Sequence, residues 1–265
     1  MKIAVLQCAY LGMSPNKLDY YLRICRQKDV KLLLLGEYVL NRFFKEIENT
    51  PLNMLKEQTN HQINTLKELS SKYDITIVAP IIQIQKNNIF KKIVVSSSNK
   101  IQYYTQQMLI NFKHWNEEKF FSNDQESLNP PLTFKIDNIK FGVIGGYELH
   151  FNYFFDEFSK KNVDVVLLPT VSTFDSNIRW QEIIKTRAFL GNFYILRANR
   201  IGEYIDKEIK WIFYGESLLA SPEGKIENML SNKEELLICD IDKNFIKENK
   251  KAWGFKRIFN KKAKK

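Results

Sequence analysis

At 265 residues, with 44% apolar and 13% aromatic composition, the chain is long enough to close one substantial core. Its formal charge of +10 suggests a nucleic-acid binder until it is located: Ile246 to Lys265 carries nine Lys or Arg and one Glu, leaving +2 for everything before it. Cys8, Cys25 and Cys239 are odd in number, far apart and set in apolar segments. That pattern suggests neither a disulfide framework nor a zinc site, and neither metal nor cofactor is expected.

The opening MKIAVLQ has no basic stretch, long apolar run and small-residue cleavage site of the exported kind. The strongest apolar runs, Leu32 to Leu35 and Val163 to Leu168, are far short of the roughly 20 residues that span a bilayer. A cytoplasmic location is the expectation.

Apolar alternation predicts strands over Ile3 to Cys8, Leu32 to Leu35, Ile75 to Ile84, Phe90 to Ser96 and Lys100 to Thr105. Further strands are predicted over Leu132 to Ile136, Phe141 to Ile144, Val163 to Leu168, Phe193 to Ala198, Trp211 to Tyr214, Ser217 to Ala220 and Leu236 to Ile241. Helical spacing fits Asn16 to Gln27, Leu55 to Lys72, Leu149 to Lys160 and Asn177 to Phe189, with Asp175 or Ser176 as the cap of the last. Only strand patterns lie between Ile75 and Thr105, so hairpins are expected there, turning at Lys86-Asn87-Asn88 and Ser98-Asn99.

About a dozen strands exceed one comfortable open sheet, so the α/β chain is expected to form two mixed sheets face to face with helices outside, a four-layer α-β-β-α sandwich. One domain over residues 1–245 is followed by a basic tail over 246–265. With Trp253, Phe255 and Phe259 among its lysines, that tail has the composition for membrane or nucleic-acid contact, against a plain solvated end.

Four local patterns in order resemble the nitrilase superfamily of carbon-nitrogen hydrolases. LLLLGEY puts Glu37 just past an apolar strand, where α/β sheets place ligands; the resemblance makes it the general base, and by itself it fits any satisfied strand-end carboxylate. IQYYTQQMLINFKHWNEEKFF resembles the segment that carries the family lysine and a second glutamate. Aligning Tyr104 and Leu109 puts Gln106 at the lysine position, with Lys113 the nearest substitute and Glu118 preferred to Glu117 as the second glutamate. KFGVIGGYELHF resembles the nucleophile elbow, with Tyr147 and Glu148 after the nucleophile and Gly146 at the cysteine position. The stretch from Val163 to Gly224, with Trp180, Arg187-Ala188, RANRIG and a tight turn at Ser221 to Gly224, resembles the pieces that wall the family pocket.

The family reaction needs a thiolate nucleophile, a glutamate to take its proton and a lysine to stabilise the developing charge. Glycine offers no side chain for the first role, and loss of the nucleophile from a coupled triad costs on the order of a millionfold in rate. His114 and His150 lack any nucleophile and orienting acid, and Ser96 to Ser98 lack an elbow context.

The resemblance therefore implies a catalytically degenerate carbon-nitrogen hydrolase that binds a small amide, nitrile or amine, or a partner protein, and that forms homo-oligomers through an outer helix face. The alternatives are an amidase-type hydrolase using a displaced group or Glu37-activated water, and a tether acting through the tail.

Overall fold

The computed structural model describes residues 1–123, 126–206 and 209–263. The first half of the chain forms β1 (Lys2–Gln7), α1 (Asn16–Gln27), β2 (Val30–Leu35), α2 (Leu52–Tyr73), β3 (Thr76–Gln85), β4 (Asn88–Ser96) and β5 (Ile101–Thr105). A short hairpin of β6 (Asn111–Phe112) and β7 (Trp115–Asn116) follows. The second half adds β8 (Thr133–Ile136), β9 (Ile139–Val143), α3 (Asn152–Lys160), β10 (Val165–Thr170), α4 (Asn177–Gly191) and β11 (Tyr194–Asn199). After these come β12 (Ile201–Asp206), β13 (Ile209–Tyr214), β14 (Leu218–Ala220), β15 (Ile226–Met229), β16 (Glu235–Asp240), α5 (Lys243–Trp253) and α6 (Phe255–Ala263).

Two six-stranded sheets form the body, in the orders β16-β1-β2-β3-β4-β5 and β15-β14-β11-β10-β9-β8. Both are mixed: β1, β2 and β3 run parallel, as do β9, β10 and β11, while their flanks pair antiparallel. Alternate residues of each strand face opposite ways, and this sorts the core into layers. Val5, Leu34, Ile93, Phe141, Leu167 and Leu196 meet between the sheets. Leu6, Leu33 and Ile77 face outward under Leu22 of α1 and Leu66 of α2. Val166 and Ile195 do the same under Phe158 of α3 and Ile184 of α4. The expected α-β-β-α sandwich is the observed one.

Local chemistry accounts for most of the joints. Lys86 turns the β3–β4 hairpin at positive φ, and Gly224, at φ 75°, closes the turn from Ser221, whose carbonyl accepts from its N–H at 2.9 Å. The helix expected from Leu149 begins later, at Asn152, because Gly146–His150 winds as a tight 3-10 turn. Ser176 flanks α4 without capping it, its hydroxyl donating to Thr173 O instead. The basic end, read from sequence as starting at residue 246, folds from Lys243 as α5, with Ile246 fully buried. Lys243 and Lys250 both reach the carboxylate of Asp164, which fixes that helix to the body.

Candidate active site

The C-terminal end of β2 delivers Glu37. Its own N–H donates to Thr170 O at 3.1 Å, tying it to the second sheet, and its side chain is buried. Oε2 accepts from Lys91 Nζ at 2.7 Å and Oε1 accepts from the Gly146 N–H at 3.0 Å. Lys91 donates equally to Glu117 Oε1 at 2.7 Å, and Tyr38 OH donates to the same oxygen at 2.7 Å. A cation thus bridges two carboxylates in a site closed to solvent.

Lys91 corrects the expectation that Glu37 has lost its cationic partner. Gln106, expected at the lysine position, lies just past β5, buried and beside the elbow, and its amide donates to Met108 O at 2.8 Å. The residue opposite it on β4 is Lys91, whose carbonyl accepts from the Gln106 N–H at 3.2 Å. Paired residues of an antiparallel ladder share a face, so the ammonium comes from the adjoining strand and still reaches the site. Asn123 clamps this pair, accepting from Lys91 N–H at 2.8 Å and donating to the carbonyls of Lys91 and Gln106 at 2.7 and 2.8 Å. Lys113 is exposed on the β6–β7 turn and takes no part.

Burial pushes the Glu37 carboxyl above its ordinary range; Lys91 opposes that shift and Glu117 adds to it. Burial alone would depress Lys91, yet the charges of Glu117 and Glu37 outweigh it and hold the ammonium above its usual value. One ammonium faces two buried carboxylates, so burial and the charge of Glu117 together outweigh the pull of Lys91 on Glu37.

The other sequence candidates sort cleanly. Gly146 lies at the strand-to-helix bend, and a side-chain carbon there would meet Glu37 Oε1 at 3.0 Å, Thr170 Cγ2 at 3.1 Å and Pro169 O at 3.3 Å. A side chain at 146 would therefore press on the Glu37 carboxylate and on Thr170. Glu148 is fully buried but points away from the cluster: it accepts from Tyr104 OH at 2.7 Å and from the N–H groups of Gln107 and Gly145 at 2.6 Å each, pinning the elbow. Burial raises its carboxyl to about 7 against those bonds. Tyr147 packs on Phe112, His150 and Phe151, outside the ion cluster.

The preference for Glu118 fails: Glu117 is the buried carboxylate, while Glu118 is exposed and accepts from Asn111. His114 and His150 are exposed, as read from sequence. Burial lifts all three thiols to about 12, so none is a thiolate at neutral pH. Cys8 and Cys25 lie under the outer helices and Cys239 between the sheets.

Space is as telling as charge. The void beside Glu37 and Lys91 measures about 10 Å³ and is walled by Tyr38, Asn41, Pro80, Ile81 and Ile82. That holds about one water, whereas small-molecule pockets run to roughly 300–1,000 Å³. Aromatic rings crowd the approach: Phe43 lies 5.2 Å from Tyr38, 5.0 Å from Trp115 and 5.5 Å from Phe213, and Trp115 stacks on Trp211 at 5.4 Å. Among the described residues no group of His, Cys, Asp and Glu is arranged to hold a metal ion, and no helix is long and apolar enough to cross a membrane.

Lys91 and Asn123 are the residues of this cluster that sequence reasoning missed, while Glu117 was named there only as the second choice to Glu118. The signal for Lys91 was present in IFKKIVV, because two successive lysines inside a strand must face opposite sides and one is forced toward the core. Nothing in the sequence marks Asn123, whose role depends on a long-range backbone contact.

The chain matches the carbon-nitrogen hydrolase family over residues 2–251. It is 20% identical to N-carbamoylputrescine amidase of Oryza sativa subsp. japonica, over 97% of this chain and 91% of that protein. It is also 20% identical to citrullinase of Francisella tularensis, over 97% and 94%. The crystal structure of a carbon-nitrogen hydrolase from Helicobacter pylori G27 superposes with a TM-score of 0.85 at 21% identity, covering 97% of this chain and 95% of that one. With its match running through both sheets and the whole elbow, the chain belongs to the carbon-nitrogen hydrolase family.

Proposed function

We propose that this member of the family does not run the covalent hydrolysis of C–N bonds, and that its Glu37–Lys91–Glu117 cluster acts as a buried ionic lock. The observation that carries this reading is the Glu37 carboxylate held 3.0 Å from the N–H of Gly146, with no side chain at the elbow to attack a carbonyl carbon. The void against Glu37 and Lys91, about 10 Å³ with room for about one water, supports it. Function then lies in the outer surface, through a partner protein or a second copy paired over the outer helices, where Ile178 of α4 is 68% exposed. Three buried, unpaired thiols agree with a cytoplasmic setting.

One observation favours a second reading. Lys91 puts an ammonium on Glu37 and the water-sized void lies against it, so a hydrolysis in which Glu37 takes the proton from a water would have an electrostatic partner. The names of the relatives point to ureido compounds as the substrates to try. Purified protein incubated with N-carbamoylputrescine, citrulline and simple amides should release no ammonia above a boiled control. Steady release abolished by Glu37→Gln would instead establish the water route.

A further inference from the structure

The residues left over by the site lie at the far end of the molecule, where α3, α4, α5 and α6 converge on a groove of about 780 Å³. It is lined by Val163, Leu190 and Phe255 and by Lys160, Lys250, Lys256 and Arg257 against Asp156, with Lys160 also paired to Glu157 at 2.7 Å. Lys250 and Lys256 spend part of their hydrogen bonds on the body, through Asp164, Val163 O, Ser159 O and Asn162, so the groove is rigidly built at its base. Its rim is not covered.

Beside the groove the apolar surface continues outward. Trp253 ends α5, packed edge-on to Phe189 at 5.0 Å, and is still 49% exposed; Leu190 is 55% and Ile258 is 57% exposed. Gly254, at φ 60°, turns the chain sharply so that α6 starts directly after Trp253. Lys247, Lys251, Arg257, Lys261 and Lys262 are exposed around these side chains, and no ion pair engages them among the described residues. Exposed Trp and Ile ringed by uncommitted cations are the features of a segment lying in the headgroup layer of an anionic bilayer.

We infer that the α5–α6 corner is a docking surface for anionic phospholipid at a membrane face. The rim of the groove, where Arg257 has no ion pair among the described residues, would take a negatively charged headgroup, while Trp253, Leu190 and Ile258 enter the acyl boundary. Charge complementarity selects the lipid: a neutral bilayer offers the apolar side chains the same hydrocarbon and no counter-charge. Nucleic acid would use the cations and leave the three exposed apolar groups without a role.

Co-sedimentation of the full chain with vesicles of phosphatidylcholine alone, or mixed with phosphatidylglycerol, tests this. The expected result is binding only to the mixed vesicles, lost when salt is raised from about 0.05 M to several-fold above it. Reversing Lys251, Arg257, Lys261 and Lys262 to Glu should weaken binding by at least about tenfold, and Trp253→Ser should weaken it with the charges intact. Circular dichroism melts identify any variant that fails to fold, and the salt series on the unaltered protein decides the matter without it. Equal binding to both vesicle types, no binding to either, or binding to a DNA duplex in place of the mixed vesicles overturns the proposal. So does a stable dimer in which this corner is protected from solvent exchange.

Discussion

Just past the last rung of the β4–β5 ladder the Gln106 N–H donates to the Lys91 carbonyl at 3.2 Å, and the ammonium that reaches Glu37 comes from Lys91. Lys91→Gln should therefore leave two buried carboxylates without a counter-charge and cost roughly 3–5 kcal/mol. Adding Gln106→Lys to that variant should restore a large part of the loss, because the two positions share a face. Urea unfolding of the single and double variants measures it, and a double variant no better than the single would mean that the two side chains do not reach the same point.

Gly146 is packed against Glu37 and Thr170 closely enough that even a methyl must displace a neighbour. We expect Gly146→Ala to destabilise by about 1–3 kcal/mol. In a Glu37→Gln background the cost should persist, because Thr170 and Pro169 O remain in the way. A neutral Gly146→Ala, read from the same unfolding curves, would mean that the elbow still has room for a nucleophile.

Glu148 gives a pH signature. Its carboxyl rises in the folded protein from 4.5 to about 7, so the native state holds the proton more tightly than the unfolded chain. Its contribution is fully present below about 4.5 and is lost as pH rises through about 7. Stability measured across that window should fall with a component that Glu148→Gln removes, even though that variant is less stable throughout for want of an acceptor for Gly145 or Gln107. An unchanged slope in the variant would assign the pH dependence elsewhere.

Asp164 is the anchor of the C-terminal helices, with Lys243 and Lys250 both on its carboxylate and the Lys140 N–H donating to it at 3.0 Å. Asp164→Asn should speed hydrogen exchange in α5 and α6 well before it affects the sheets. Uniform acceleration across the chain would show that these helices are not a separate unit.

The sandwich was legible because strand and helix periods differ and because Val163 to Leu168 and its neighbours are apolar enough to need cover on both faces. Glu37 and Gly146 were expected past the ends of apolar strands, and the fold brings them together there, the Gly146 N–H on Glu37 Oε1. Lys91 was passed over because the resemblance drew attention to the strand after it, although the paired lysines of IFKKIVV already force one ammonium toward the core. The choice between Glu117 and Glu118 depended on which way a two-residue strand faces, and so short a strand carries no period. The elements β12 and β15 and the two final helices went unseen because their apolar positions are few among Lys, Glu and Asn.

The most direct test is the intact mass of the protein, recorded after long incubation with acrylamide and with ureido compounds such as citrulline. A chain whose elbow bears no nucleophile and whose thiols are all buried should return its unmodified mass with every compound. A stoichiometric adduct that survives denaturation and maps by peptide analysis to a side chain beside Glu37 would contradict the account.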